Sequence, residues 1–123
     1  MTATENSFRK SERLRSAREF RSVLRKGSSL RGGGIALYYS KRSLSGGSRL
    51  GIIVGRRVFR SAVKRNRAKR IVREFFRLRK YNFQPGFDIV VKFMDSSNSL
   101  ETHNLGQVLI RLFERAGVFG ASV

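Results

Sequence analysis

The chain has 123 residues, 27 of them Lys or Arg against 8 Asp or Glu, for a net charge of +19. That length suits one domain able to bury roughly two thirds of its unfolded surface without a staple, and ten Phe among 40% hydrophobic residues are a globular rather than a disordered composition. The lack of Cys excludes disulfides and thiolate zinc sites, and no apolar run approaches the ~18 residues of a membrane-spanning helix.

Residues 1–12 read as a flexible basic N-terminus, 13–119 as the folded domain and 120–123 as a tail. The opening MTATENSFRKSER lacks the apolar centre of a signal peptide, so the cytoplasm is the expected location. Ser16-Ala17-Arg18-Glu19 has capping-box spacing. Phe20, Val23 and Leu24 follow at helical intervals, and Gly27 supplies the stop. Gly32-Gly33-Gly34 reads as a flexible break, with a further short strand near Leu30. Ile35 to Ser40 reads as a strand. Arg42 to Ser48 reads as a turn into a hairpin partner, Leu50 to Phe59. In that second strand Leu50, Ile52 and Val54 share one face and Ile53 takes the other, which predicts cover on both faces.

A long helix follows, with Ser61 as its N-cap. Asn82 to Gly86 is a loop. Phe87, Ile89, Val91 and Phe93 alternate with Asp88, Val90 and Lys92 as a strand does. Asn98-x-x-Glu101 reads as a capping start for a last helix with the stripe Leu105, Val108, Leu109, Leu112, Phe113 and Ala116, closed by Gly117. The predicted class is α+β: a single-domain two-layer α/β sandwich on a small mixed sheet, in the order α-β-β-(β)-α-β-α. Residues 50–93 form a strand–helix–strand unit whose strands would be parallel.

Charge is unevenly spread. Residues 1–80 carry 24 basic and 4 acidic side chains, whereas 81–123 carry 3 and 4. Lys64 to Lys80 alone holds nine cations and a single acid, Glu74. On a wheel turning about 100° per residue from Ala68, one side collects Ile71, Val72, Phe75, Phe76 and Leu78. The other collects Asn66, Lys69, Arg70, Arg73 and Arg77. Glu74 can offset part of the repulsion through Arg70 and Arg77. Such asymmetry points to a polyanion, with nucleic acid ahead of an anionic membrane because the apolar residues sit on core-forming periodicities.

The run Arg65-Asn66-Arg67-x-Lys69-Arg70 offers forked donors for phosphate and an amide for a base edge or ribose hydroxyl. It stands within RLGIIVGRRVFRSAVKRNRAKRIVREFFR, and this string strongly resembles the protein subunit of bacterial ribonuclease P. Arg13-Leu14, Glu19-Phe20 and Gly27 upstream and Asp88-Ile89-Val90-Val91 downstream extend the resemblance over about residues 13–115. The resemblance implies an endoribonuclease holoenzyme that removes the 5′ leader from precursor tRNA. Its chemistry belongs to a catalytic RNA subunit that binds most of the Mg2+, with no cofactor intrinsic to the chain, no membrane and no protein partner required. It implies that Arg65, Asn66, Arg67, Lys69, Arg70 and Arg73 face the RNA subunit, that Phe20, Tyr38, Arg56 and Arg57 meet the leader, and that the strand–helix–strand crossover is left-handed, against the general rule. The chain departs from the family pattern at Gly55-Arg56-Arg57, where a Ser-Lys-Lys type is usual, and at Phe93-Met94-Asp95, where an Arg-Pro pair is common.

Blander readings stand beside these. Phe20 reads equally well as core beside Val23 and Leu24. Arg56 and Arg57 would point to opposite faces of a regular strand, one toward RNA or leader and one into solvent. His103 reads as a surface residue. Asp88 reads as a turn or ion-pair residue before a site for hydrated magnesium. No nucleophile, base and orienting group assemble, which argues against a stand-alone nuclease. A small ribosomal or general structural RNA-binding protein is the alternative, sharing charge and fold class.

Overall fold

Ser16 opens the first helix: its hydroxyl accepts from the Glu19 N–H at 3.1 Å, while the Glu19 carboxylate accepts from the Ser16 and Arg15 N–H groups. This helix, α1 (Ala17–Lys26), begins a computed structural model that describes residues 9–42, 46–97 and 100–119. The expectations for 1–8, 43–45, Asn98 and 120–123 lie outside the described residues. Residues 10–12, expected to fray, form a 3-10 turn from which Glu12 reaches Lys80 at 3.1 Å.

After α1 come β1 (Ser28–Gly32) and β2 (Ile35–Lys41). Gly33 and Gly34 join them with φ of 58° and 79°. Two consecutive positive φ values make the turn that matches strand twist in a two-residue hairpin. The glycine run is therefore a tight turn and not a flexible break, and β1 is the hairpin partner of β2.

β3 (Arg49–Ile53), α2 (Ala62–Arg79), β4 (Phe87–Phe93) and α3 (Thr102–Ala116) complete the chain. The sheet order is β1-β2-β4-β3, with β4 antiparallel to β2 and parallel to β3. The expected β2–β3 hairpin is thus replaced: β4 inserts between them. Its Ile89, Val90 and Val91 are all 0% exposed, and a strand apolar on both faces is stabilised most in the centre of a sheet. The strand–helix–strand unit is parallel, as expected.

One face of the sheet packs Ile35, Leu37, Leu50, Ile89, Val91 and Phe93 against α2 and α3. Phe83 sits in this core, with ring centroids 4.9 Å from Phe76 and 5.0 Å from Phe113 and Phe119. The other face carries α1, through a smaller cluster of Leu14, Val23 and Val90 with Phe20, Leu24, Tyr38 and Ile53 around it. Ile53 thus turns to α1 while Ile52 joins the main core, which gives β3 its cover on both sides. Leu78, placed by the wheel at the margin of the apolar face, is 55% exposed. α3 starts from Glu101, which makes no side-chain cap, and ends at Gly117 in the left-handed conformation, φ 74°.

Candidate nucleic-acid interface

Ser61 starts α2 by accepting from the Lys64 N–H at 3.3 Å. Burial of Ala68, Ile71, Val72, Phe75 and Phe76 fixes the rotation of the helix. Its opposite side then lines a groove with Asn66, Lys69, Arg70 and Arg73, joined by Arg77. Arg13 completes the wall from outside the helix. Its neighbour Leu14 hydrogen-bonds the Leu50 carbonyl at 2.9 Å and so holds that segment in place. Glu74 pairs with Arg77, and no acid among the described residues reaches Arg70, so the expected relief is confined to Arg77. A groove with five cations and one half-neutralising acid holds a positive potential that phosphate groups relieve.

The other two arginines of the motif are placed elsewhere. Arg65 folds back to donate to the Phe59 and Arg60 carbonyls at 2.8 and 2.9 Å, closing the turn that leads into the helix. Arg67 donates from Nε to the Leu100 carbonyl at 2.7 Å, tying α2 to the segment before α3. The structure therefore brings together Asn66, Lys69, Arg70 and Arg73 and separates Arg65 and Arg67 from them.

The second candidate surface lies under α1. The Phe20 ring rests on β3 at Gly51, where a Cβ would come within 2.5 Å of it. Tyr38 is half-buried in the same small cluster, so both rings are partly core. Register places Gly51, Val90, Tyr38 and Ser29 in one row across the sheet, and Ile53, Lys92, Ala36 and Arg31 in the next. Lys92 and Arg31 were not anticipated, because cross-strand neighbours depend on a strand order that periodicity does not report. Arg56 and Arg57 do not alternate across a strand. β3 ends at Ile53, and both arginines are exposed in a turn closed by the Val58 and Phe59 N–H groups on the Gly55 carbonyl.

Asp88 is 8% exposed and takes two bonds from Arg49, each 2.8 Å, together with the Arg42 guanidinium. Arg49 also holds Glu19 at 2.9 Å. The hydrogen bonds to Asp88 raise the Arg49 pKa above its ordinary value. With both oxygens engaged by guanidinium groups, Asp88 is occupied as a structural carboxylate. Among the described residues no three His, Cys, Asp or Glu side chains gather at one point, and His103 is exposed. No helix among them is long and apolar enough to cross a membrane.

Comparison with known proteins follows the same line. The Ribonuclease P family model matches residues 8–117. The ribonuclease P protein component of Clostridium botulinum is 34% identical over 111 residues, covering 89% of this chain and 98% of that protein. That of Coxiella burnetii is 37% identical over 109 residues, covering 89% and 88%. Among solved structures, the Staphylococcus aureus RNase P protein matches with a TM-score of 0.81 at 27% identity, over 90% of this chain and 100% of that one. The Thermotoga maritima RNase P protein matches at 0.73 and 35% identity, over 85% and 96%.

Proposed function

This chain belongs to the ribonuclease P protein family, and on that premise we propose that it binds the catalytic RNA of the ribonuclease P holoenzyme through the α2 groove and the 5′ leader of precursor tRNA through the sheet cleft beside α1. Its role is in tRNA processing, as the protein component of an endoribonuclease working in the cytoplasm. Bond breaking falls to the RNA subunit and its Mg2+. This chain contributes phosphate contacts and positioning, which fits a surface with converging guanidinium groups and a carboxylate, Asp88, already engaged by arginines.

The observation that carries the reading is the convergence of Asn66, Lys69, Arg70 and Arg73 with Arg13 and Arg77 on the solvent side of a helix whose other side is core. In the cleft, half-buried Tyr38 offers an aromatic ring on which an unpaired base can stack, worth about 1–3 kcal/mol, and Lys92 and Arg31 flank it with positive charge. Arg56 and Arg57 extend that charge past the end of β3.

One reconstitution tests both halves. The triple variant Lys69→Gln/Arg70→Gln/Arg73→Gln should bind the RNA subunit roughly a hundredfold more weakly at about 100 mM salt, with an unchanged unfolding midpoint. Tyr38→Ala should leave that assembly intact and weaken precursor tRNA relative to mature tRNA. Parental assembly by the triple variant sinks the groove, and equal losses on both tRNAs remove Tyr38 from the leader site.

A further inference from the structure

α1 carries four cations that the preceding reading does not use. Arg18, Arg21, Arg25 and Lys26 are exposed, and among the described residues none has an acidic partner. The one acid of the helix, Glu19, is turned to Arg49. Measured from the buried Val23 at about 100° per residue, Arg18, Arg21 and Arg25 lie within ~40° of the outward direction. Ser22 and Lys26 lie about 60–100° round from Val23, on the flank that holds Glu19. There they line a second hollow with Ser28, Ser40, Lys41 and Arg42. Its only acid is Asp88, already neutralised by Arg42 and Arg49. Arg18, Arg21, Ser22, Arg25 and Lys26 line a shallow outer hollow on α1, which shares Ser22 and Lys26 with the flank hollow, so the positive surface runs from the outside of α1 to the end of β2.

This surface is separate from both sites above. α1 lies on the opposite face of the sheet from α2, and the helix body stands between the Ser22–Lys26 flank and the side that carries Phe20, Leu24 and Tyr38. We propose that it is a second polyphosphate track, one that takes single-stranded RNA. The path turns through more than a right angle between Arg21 and Lys26 about the helix axis. A stiff duplex meets one limb of such a path, whereas an unpaired strand follows both, and the serine hydroxyls on the inner limb suit phosphate and 2′-hydroxyl oxygens. A membrane surface fits less well. A helix that lies on lipid must present its apolar side to it, and Val23 on that side is 1% exposed against the sheet.

The test isolates the track by working in the full chain with the α2 groove already neutralised by Lys69→Gln/Arg70→Gln/Arg73→Gln. Binding of a fluorescent twelve-nucleotide oligouridine is followed between about 50 and 200 mM salt. Adding Arg18→Gln/Arg21→Gln/Arg25→Gln should flatten the log–log salt slope by about 2 and lower affinity about tenfold or more at ~100 mM. The charge-preserving Arg18→Lys/Arg21→Lys/Arg25→Lys should keep the parental slope, which separates lost contacts from lost folding. The α1 glutamine variant with an intact α2 groove should still assemble with the RNA subunit, so this proposal and the groove reading fail independently. The track is overturned if the slope does not change, if the lysine variant loses as much as the glutamine one, or if only binding to phosphatidylglycerol vesicles responds.

Discussion

Gly27 shows how a residue can be needed for a reason its sequence position does not display. It stands where a helix stop is expected, yet its φ is −79°, a value any residue adopts. What it lacks is room. A Cβ there would lie 2.6 Å from the Val23 carbonyl oxygen and 2.7 Å from that of Tyr39. Both are backbone atoms and cannot rotate aside. Gly27→Ala should therefore cost about 1–3 kcal/mol, read as a lower urea midpoint at unchanged slope. Gly47→Ala, whose added Cβ meets nothing within 4 Å, should stay within roughly 0.5 kcal/mol. Equal midpoints for the two variants would remove the close approach from the account. The motif arginines follow the same rule. The helical wheel sets Arg67 about 100° to one side of Ala68, away from Lys69, Arg70 and Arg73, but sets Arg65 about 60° to the other side, only about 40° from Lys69. The separation was legible for Arg67 and not for Arg65, although the motif set both beside Asn66, Lys69, Arg70 and Arg73. Their acceptors were not legible, since the carbonyls of Phe59 and Leu100 are brought near by the turn before α2 and the segment before α3.

At the scale of elements, helices were easier to read than strands. Caps and 3.6-residue periodicity are local, and Ser16, Ser61 and Gly117 stand at the ends they predict. A period of two announces a strand and leaves its neighbour open, so the expected pairing of β2 with β3 gives way to β4, which lies between them. α1 also depends on a tie that no local signal carries. Glu19 accepts from the Arg15 and Ser16 N–H groups just ahead of the helix and binds Arg49 on β3, so it fastens the helix start to the sheet. Hydrogen bonds from the Arg15 and Ser16 N–H groups lead the causes that hold its pKa below the ordinary 4.5. A folded-state pKa that is depressed means stability present above the unfolded value and lost as pH falls through the folded one. Glu19→Gln keeps an acceptor for the cap and removes only the charge. It should be less stable than the parent at pH 7, with the gap narrowing as pH drops below about 4. Urea unfolding of both proteins across that range checks it: a gap that stays constant down to pH 3 would show that the charge contributes nothing.

The whole molecule divides its labour along the chain. Residues 81–123, nearly neutral, supply β4, which is mostly buried, and α3, which adds Leu105, Leu109, Leu112 and Phe113 to the core. The cation-rich first 80 residues supply α1, α2 and the groove wall at Arg13. α1 and α2 sit on opposite faces of one sheet, so their basic sides diverge and repulsion between them is reduced by distance and screening. Nothing comparable relieves repulsion within a side, and phosphate does so when it binds, releasing its condensed counterions. If the groove cations Arg13, Lys69, Arg70, Arg73 and Arg77 engage most of the phosphates contacted, log affinity for the RNA subunit should fall against log salt with a slope near −4. That corresponds to a loss of roughly 300-fold between about 50 and 200 mM. Arg111 and Arg115 are exposed on α3, outside the groove. Arg111→Gln/Arg115→Gln should leave the slope as it is, although it removes as much net charge as Arg70→Gln/Arg73→Gln, which should flatten it by about 2. Equal flattening by the two pairs would mean that binding responds to total charge alone, and that the placement of the groove on α2 carries no specificity.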